Sequence, residues 1–351
     1  MKKILALILV ALMTVSMFAA CGAKTETAAS ASSDAAASAP AAEEEAPAAS
    51  SETDASGASY TIGICNYVDD ASLNQIVENI QSQLADIGAE KGVTFHVEYD
   101  NCNADSNLMS QIISNFQADN SDLLVAVATP VAMAMQAATE ESGTPVVFAA
   151  VSDPVSVGLV DSLEAPGSNL TGTSDMNPVD DQIAMLQKVL PEAKHVGMLY
   201  CTAESNSQLQ IEMAEAACDK AGLTTERFTV SSSNEIQSVV ESMVGKVDAG
   251  YSPTDNTIAA AAAQVGQIAK EGKLPFITGE ENMCMGMGIC TVSIDYKELG
   301  KMAGEMAVKI LKGEDTPANM AIETEAGDQL QTIKNQEMAE ALGIDLSVLD
   351  A

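Results

Sequence analysis

Short continuous apolar runs alternate along most of this chain with longer stretches in which apolar residues return every three or four positions. From Tyr60 onward, TIGIC (61–65) reads as a buried strand, and Leu73, Ile76, Val77, Ile80, Leu84 and Ile87 recur at helical spacing. Residues 93–99 alternate as a second strand. Asp105 stands where a helix N-cap belongs, ahead of an apolar face made by Leu108, Ile112, Ile113 and Phe116. A strand over 123–128, a Met- and Ala-rich helix opened by Pro130 and a strand over 146–149 complete a first half. A polar stretch, 152–178, contains Asp153-Pro154, Pro166-Gly167 and Gly172 and marks the boundary to a second half. There the pattern predicts helix 179–190, strand 196–200, helix 208–221, strand 225–230, helix 235–244, strand 247–251, helix 257–270 and strand 274–277. A Met-rich loop, strand 290–294, helix 297–311, a short strand near 321–323 and a closing helix over 336–342 follow. Strands and helices in alternation with short connections imply an α/β fold with parallel sheets and right-handed crossovers.

Two strand-to-helix openings resemble each other, TIGICNYVDDASLNQ (61–75) and HVGMLYCTAESNSQLQ (195–210). In each, an apolar run stops in small polar residues before helical spacing resumes. Open α/β sheets place ligands just beyond the carboxyl ends of their strands, where such loops sit.

The first sixty residues break the pattern. Lys2 and Lys3 precede an apolar run over 4–20, as in a secretory signal, and the run is short for a membrane span. It ends Phe18-Ala19-Ala20-Cys21-Gly22, which resembles the lipobox of bacterial lipoproteins, so residues 1–20 are expected to be cleaved and Cys21 lipidated; an ordinary secretory cleavage site is the alternative. Residues 21–59, almost all Ala, Ser, Glu, Pro and Thr, lack apolar periodicity and read as a disordered tether. Together these imply an extracytoplasmic protein held on the outer face of a bacterial cell membrane.

The 351 residues suit about two domains. With 16 basic against 50 acidic residues the formal charge is −34, so nucleic acid is excluded as a partner: phosphate binding rests on Lys and Arg clusters. The acidity is dispersed and implies a soluble surface rather than a metal cage.

Several pieces in order, IGICNYVDDASLN, VATP (127–130), PVVFAAVSDP (145–154), NLTGTSD (169–175), the 200–207 loop, YSPTDNT (251–257) and VSIDYKELG (292–300), resemble the substrate-binding lipoproteins of ABC importers in the tryptophan/tyrosine-binding group. The resemblance runs from about Tyr60 to the C-terminus. It implies the type I periplasmic-binding-protein fold, two Rossmann-like lobes with parallel sheets joined by a three-segment hinge, with crossings near Thr173, Cys290 and Asn319. One lobe is then 60–172 plus 291–318 and the other 173–290 plus 319–351. It also implies capture of an amino-acid-like solute, aromatic by preference, and delivery to ABC permease subunits by a monomer. Relatives often carry Tyr-Asn in the second-lobe loop and a His in the first; here Cys201 follows Tyr200 and Asp70 stands near the His position, so the ligand is free to differ.

A zwitterion needs donors for its carboxylate, acceptors for its ammonium and a surface for its side chain. Thr129, ahead of a helix N-terminus, and Ser152 are the donor candidates, with Asp153 beside them. Glu204, Asp255 and Asp295 are candidate ammonium partners, with Asn206, Ser207 and Asn256 as neutral neighbours. Tyr67 and Tyr200, at equivalent strand ends, are placed to sandwich a side chain. Each has a plainer rival: Asp153-Pro154 suits a turn, Asp255 and Asp295 suit N-caps, and Tyr200 suits the core.

Apart from Cys21, the cysteines are Cys65, Cys102, Cys201, Cys218, Cys284 and Cys290. Free thiols are expected, although Cys65 and Cys102 lie near strand ends that approach each other. The run Met283-Cys284-Met285-Gly286-Met287-Gly288-Ile289-Cys290 has soft ligands for copper(I) but no His, and Met also fills apolar gaps. No metal and no cofactor are expected. His96 and His195 stand in no nucleophile motif, and neither GxSxG nor GxxxxGK occurs, so no enzyme activity is expected. A surface sensory or adhesive lipoprotein built on the same fold is the rival reading.

Overall fold

The computed structural model describes residues 57–350; the expected signal peptide, the lipidated Cys21 and the tether through residue 56 lie outside the described residues. In the first half, β1 (Ser59–Asn66), α1 (Ala71–Lys91), β2 (Thr94–Asn101), α2 (Ser106–Ala118), β3 (Leu123–Val127), α3 (Thr129–Thr139), β4 (Val146–Ala149) and β5 (Leu170–Gly172) follow in order. Their strands form one parallel sheet, β2-β1-β3-β4-β5. β5 lies inside the polar stretch where no strand was expected. Three residues are too few to show a period, and Gly172 is required because a Cβ there would stand 1.9 Å from the Phe148 carbonyl oxygen.

The second half holds α4 (Val179–Val189), β6 (His195–Cys201), α5 (Ser205–Ala221), β7 (Thr224–Val230), α6 (Ile236–Met243), β8 (Ala249–Ser252), α7 (Asn256–Ala259), α8 (Ala262–Gly272), β9 (Phe276–Thr278), α9 (Glu281–Met287) and β10 (Cys290–Ser293). After α10 (Tyr296–Leu311) come β11 (Gln331–Lys334) and α11 (Gln336–Leu342). The second sheet runs β11-β10-β9-β8-β6-β7, parallel except for the antiparallel edge strand β11. Successive residues of β6 point to opposite faces: Val196, Met198 and Tyr200 enter the core under α4 and α5, while Leu199 and Cys201 enter the core under α6 and α8.

The first core is completed from far along the sequence. Ile294, Tyr296, Leu299, Ala303, Met306, Ala307 and Met320 join residues 62–170, while β10 stays in the second sheet. The chain therefore passes between cores at 293–294, a few residues beyond the expected Cys290, and residues 291–293 belong with the second sheet. The other passages meet in a bridge, Thr173 beside Glu323, where Ser174 N donates to Glu323 O (2.8 Å) and Glu323 N to Gly172 O (3.1 Å).

Two further expectations change. The helix expected over 257–270 is broken into α7 and α8 at Ala260-Ala261, where Ala261 leaves helical geometry (φ −108°, ψ 11°); a run of alanines carries no apolar stripe to hold one axis. The Met-rich loop is instead α9, capped by the Glu280 side chain, with Met283, Cys284 and Met287 buried in place of a loop. Among the described residues no helix is long and apolar enough to cross a membrane.

Close packing of α10 on α1 depends on Gly300, whose added Cβ would meet Ile76 O at 2.6 Å. Because that neighbour is backbone, Gly300→Val should lower stability by roughly 1–3 kcal/mol. Urea unfolding followed by circular dichroism reads this directly, and an unchanged midpoint would show that the helix pair does not need the close approach.

Candidate functional site

The carboxyl ends of β1, β3 and β4 face those of β6, β8 and β9 across a cleft, and the loops there are clasped together. Ser72 Oγ donates to Glu280 Oε2 (2.6 Å) and accepts from Asn282 Nδ2 (2.9 Å). Ser152 Oγ donates to Asp175 Oδ1 (2.9 Å) and accepts from Gln210 Nε2 (3.1 Å). Tyr296 Oη donates to Asp175 Oδ2 (3.1 Å), and Gln210 Oε1 accepts from Thr254 N (3.2 Å). Ser72, Ser152, Asp175, Gln210, Glu280 and Tyr296 are all buried.

The cleft contains three cavities. One of about 370 Å³ is lined by Tyr67, Val68, Ala104, Cys201, Ala203 and Ala261 among others. A second, about 330 Å³, is bounded by Asp70, Asn74, Ala260, Glu280 and Met283. Between the lobes lies a third of about 10 Å³, lined by Asp70, Ser72, Asp255, Glu280, Met283 and Tyr296. Among the described residues no Lys, Arg or His lines any of them.

Several candidates gather here, though often in the plainer role. Tyr67, 6% exposed, walls the largest cavity. Tyr200 does not face it: its ring belongs to the second core and its hydroxyl accepts from Arg227 Nη1 (3.3 Å). The two tyrosines therefore do not form a sandwich, a consequence of the two-residue period along β6. Thr129 begins α3 after Ala128 in a strained conformation (φ 80°, ψ 155°), and its buried hydroxyl has no partner. Ser152 is committed to Asp175 and Gln210. Asp153 Oδ1 accepts from the backbone of Val155 and Ser156, which makes it a turn residue.

Glu204 is fully buried, and its carboxylate accepts from Asn256 N and Nδ2 and from Thr257 N and Oγ1 (2.6–3.1 Å). It is an inter-loop cap rather than a free anion. Asp255 caps α7 through Ile258 N (2.9 Å) and holds Cys201 N (2.6 Å). Asn206 Nδ2 donates to Thr254 O (3.1 Å), leaving its Oδ1 without a partner. Ser207 is fully buried, and its hydroxyl has no hydrogen-bond partner. Asp295 caps α10 through Lys297 N (2.9 Å) and lines none of these cavities.

Burial dominates the electrostatics. It pushes Asp70 up to about 7, assisted by Glu280; Asp255 up to about 8, assisted by Glu204; and Asp175 up to about 6. Glu280 is raised for the same reason, and Tyr67 is raised by burial and the field of Glu204. Among the described residues no three of His, Cys, Asp and Glu form a group able to hold a metal, and the six cysteines are free and buried. Cys65 and Cys102 do come close enough for each to perturb the other's ionisation, while Cys102 Sγ donates to Tyr67 O (3.2 Å).

Glu280, Asn282, Ser72, Asp175, Gln210 and Tyr296 were not among the sequence candidates. Gly279-Glu280-Glu281-Asn282 follows β9 directly, so the strand-end rule that selected the loops after β1 and β6 points to Glu280 as well.

Two lobes, three passages and a polar cleft at the strand ends define a two-lobed solute-binding protein. The chain belongs to the ABC transporter substrate binding protein family, whose model matches residues 61–348. It is 33% identical over 340 residues to the tyrosine-binding protein of Clostridioides difficile (strain R20291), covering 96% of this chain and 93% of that protein. Among solved structures, the ABC domain in complex with L-Trp from Streptococcus pneumonia is 35% identical (TM-score 0.77), covering 84% of this chain and 98% of the other. The ligand-free, open structure of a substrate binding protein with adhesive properties from Clostridium difficile is also 35% identical (TM-score 0.61; 82% and 95% covered).

Asp175, Asp70 and Asp255 have folded-state values above the 3.8 of an ordinary aspartate. Their protonated forms are thus favoured by folding, and the stability they contribute is complete below about pH 4 and is lost as pH rises through about 6, 7 and 8. The melting temperature of the ligand-free protein should accordingly fall between pH 5 and pH 9, and fall less in Asp255→Asn. A pH-independent melting temperature would contradict the burial of these carboxyls.

Proposed function

We propose that this protein is the solute-capturing lipoprotein of an ABC importer, taking an aromatic amino acid (tyrosine, tryptophan or phenylalanine) into its cleft by hinge closure and delivering it to a permease. The observation that carries the reading is the arrangement of the lobes. At equal identity the chain superposes better on the L-Trp complex than on the ligand-free, open relative, 0.77 against 0.61, and its own cleft is closed by the Ser72–Glu280 and Ser152–Gln210 hydrogen bonds. A closed state held by contacts from both lobes is the state a solute selects.

The chemistry of the cleft is consistent with an amino acid. Thr129, with an unpartnered hydroxyl at the start of α3, is the proposed carboxylate donor. The cavity walled by Tyr67, Val68, Ala203 and Ala261 supplies an apolar surface for a side chain. Asn103, Ser231, Ser232, Ser233 and Thr257 make its polar edge, with Glu204 fixing the loop that carries Thr257. The sequence of residues 1–59 supports anchoring through a lipid on Cys21 and a tether, which keeps a monomer near its permease at the outer face of the membrane. The similarity to a relative described as having adhesive properties favours one second reading, a surface protein that presents this fold to another protein.

A thermal-shift panel of the twenty amino acids tests the ligand. At a hundredfold excess over the dissociation constant a solute stabilises by about 2.7 kcal/mol, which for a folded body of this size raises the melting temperature by about 4 °C. Tyrosine, tryptophan or phenylalanine should give that shift; a flat panel sinks the amino-acid reading. Loss of solute uptake on deletion of the gene separates import from adhesion.

A further inference from the structure

The buried carboxylates of the cleft differ in what they lack. Asp255 has both oxygens occupied, by Cys201 N and Ile258 N. Glu204 accepts four hydrogen bonds from Asn256 and Thr257, and Asp175 is held by Ser152 and Tyr296. Asp70 is different. Its Oδ1 caps α1 through Ser72 N (2.8 Å) and Leu73 N (3.1 Å), but its Oδ2 is buried with no partner, although the residue is only 7% exposed.

A buried carboxylate oxygen without a donor is costly, and the usual remedy is a neighbouring cation. Among the described residues none lines the cavities that Asp70 borders. Those cavities also bring in Glu280, whose oxygens accept from Ser72 Oγ, Asn282 N and Met283 N and keep lone pairs spare, since each carboxylate offers about four acceptor positions. Asp70 comes from the first lobe and Glu280 from the second. The cavity they share with Tyr296, and with Asp255, whose two oxygens are already engaged, has a volume of about 10 Å³, the scale of one water-sized group.

We infer that Asp70 and Glu280 together form a clasp for a primary ammonium group of the solute, and that the protein selects solutes carrying –NH3+ over their des-amino counterparts. The size of the cavity favours an ammonium head over a guanidinium, and three N–H donors match acceptors contributed by both lobes. The clasp also links recognition to closure: the two carboxylates face one cation only when the lobes are together. This inference rests on the cleft being the solute site, and it places the ammonium partner on residues other than Glu204, Asp255 and Asp295.

The test uses the full-length protein and calorimetric titration with matched probes: L-tyrosine, L-tryptophan and L-phenylalanine, their des-amino propionate analogues, simple primary amines, glucose and calcium chloride. For any amine that binds, the des-amino analogue should bind weaker by on the order of 100-fold, and Asp70→Asn should weaken the amine by a similar factor. Asn is as good an N-cap as Asp, so this variant keeps α1 intact. Its ligand-free melting temperature at pH 8 should be equal or higher, because a buried unpaired charge is gone, and a purely structural Asp70 would not combine that with lost affinity. Glu280→Gln is the second variant and should also weaken the amine. If the aromatic amino acids fail but another primary amine binds with this discrimination, the clasp stands and the aromatic reading fails. Equal binding of an amine and its des-amino analogue, undiminished affinity in Asp70→Asn, or binding of glucose or calcium with no amine binding, each overturns the clasp.

Discussion

The removal of carboxylates from water between the two lobes is the constraint to which the rest of the structure answers. Asp70, Asp175, Asp255, Glu204 and Glu280 are all buried in or beside the cleft, and the cost of stripping water from an ion exceeds what a single hydrogen bond returns. All but Asp70 therefore have both oxygens met by donors, drawn from their own loop or from one packed against it. Glu204 holds the start of α7, Glu280 holds α9, and Asp175 is held between Ser152 and Tyr296. These bonds fix the loop geometry that shapes the cavities. Remove the burial and the loops lose the reason for their order.

One chemical economy runs through the site: the same acids that cap helices also line the cleft. A strand that ends at the cleft must turn into a helix within a few residues, and an Asp or Glu at the turn satisfies orphaned N–H groups while adding favourable charge at the positive helix end. Capping consumes one oxygen of Asp70 and leaves the other, whereas both oxygens of Asp255 and of Glu204 are engaged. Residue type alone does not separate these cases. The difference lies in which neighbouring backbone N–H groups happen to be in reach.

That distinction accounts for how much of the protein was legible in its sequence. The alternation of apolar runs with helical stripes gives most strands and helices and the two-half architecture, because period follows from burial on one face. It misses β5 and β11, which are too short or too exposed to carry a period. It runs α7 and α8 together because alanine suits either side of a break, and it reads α9 as a loop although its methionines pack inward. The strand-end loops lie where the cavities are, and Tyr67 walls one of them. Tyr200 fails because strand parity, decided by register in β6, sends it into the core. The clasp between Ser72 and Glu280 joins residues 208 positions apart, and no local pattern encodes such a pairing.

The three passages between cores complete the logic of closure. Because α10 packs in the first core while β10 and β11 remain in the second sheet, each lobe keeps its own core whatever the angle between them. In the proposed closure the movement would fall at the passages, where Thr173 and Glu323 lie side by side, and the facing loops would set the balance between open and closed. Opening would return Asp70 and Glu280 to water, and closing without a counter-charge strands an oxygen of Asp70 beside cavities that, among the described residues, no Lys, Arg or His lines. Protonation relieves that cost at low pH and a bound cation relieves it at high pH, so near pH 7, where Asp70 titrates, the closed form depends on what occupies the cleft. A ligand shifts such an equilibrium only by its difference in affinity for the two states, and a charge facing both lobes at once has that difference built into its position.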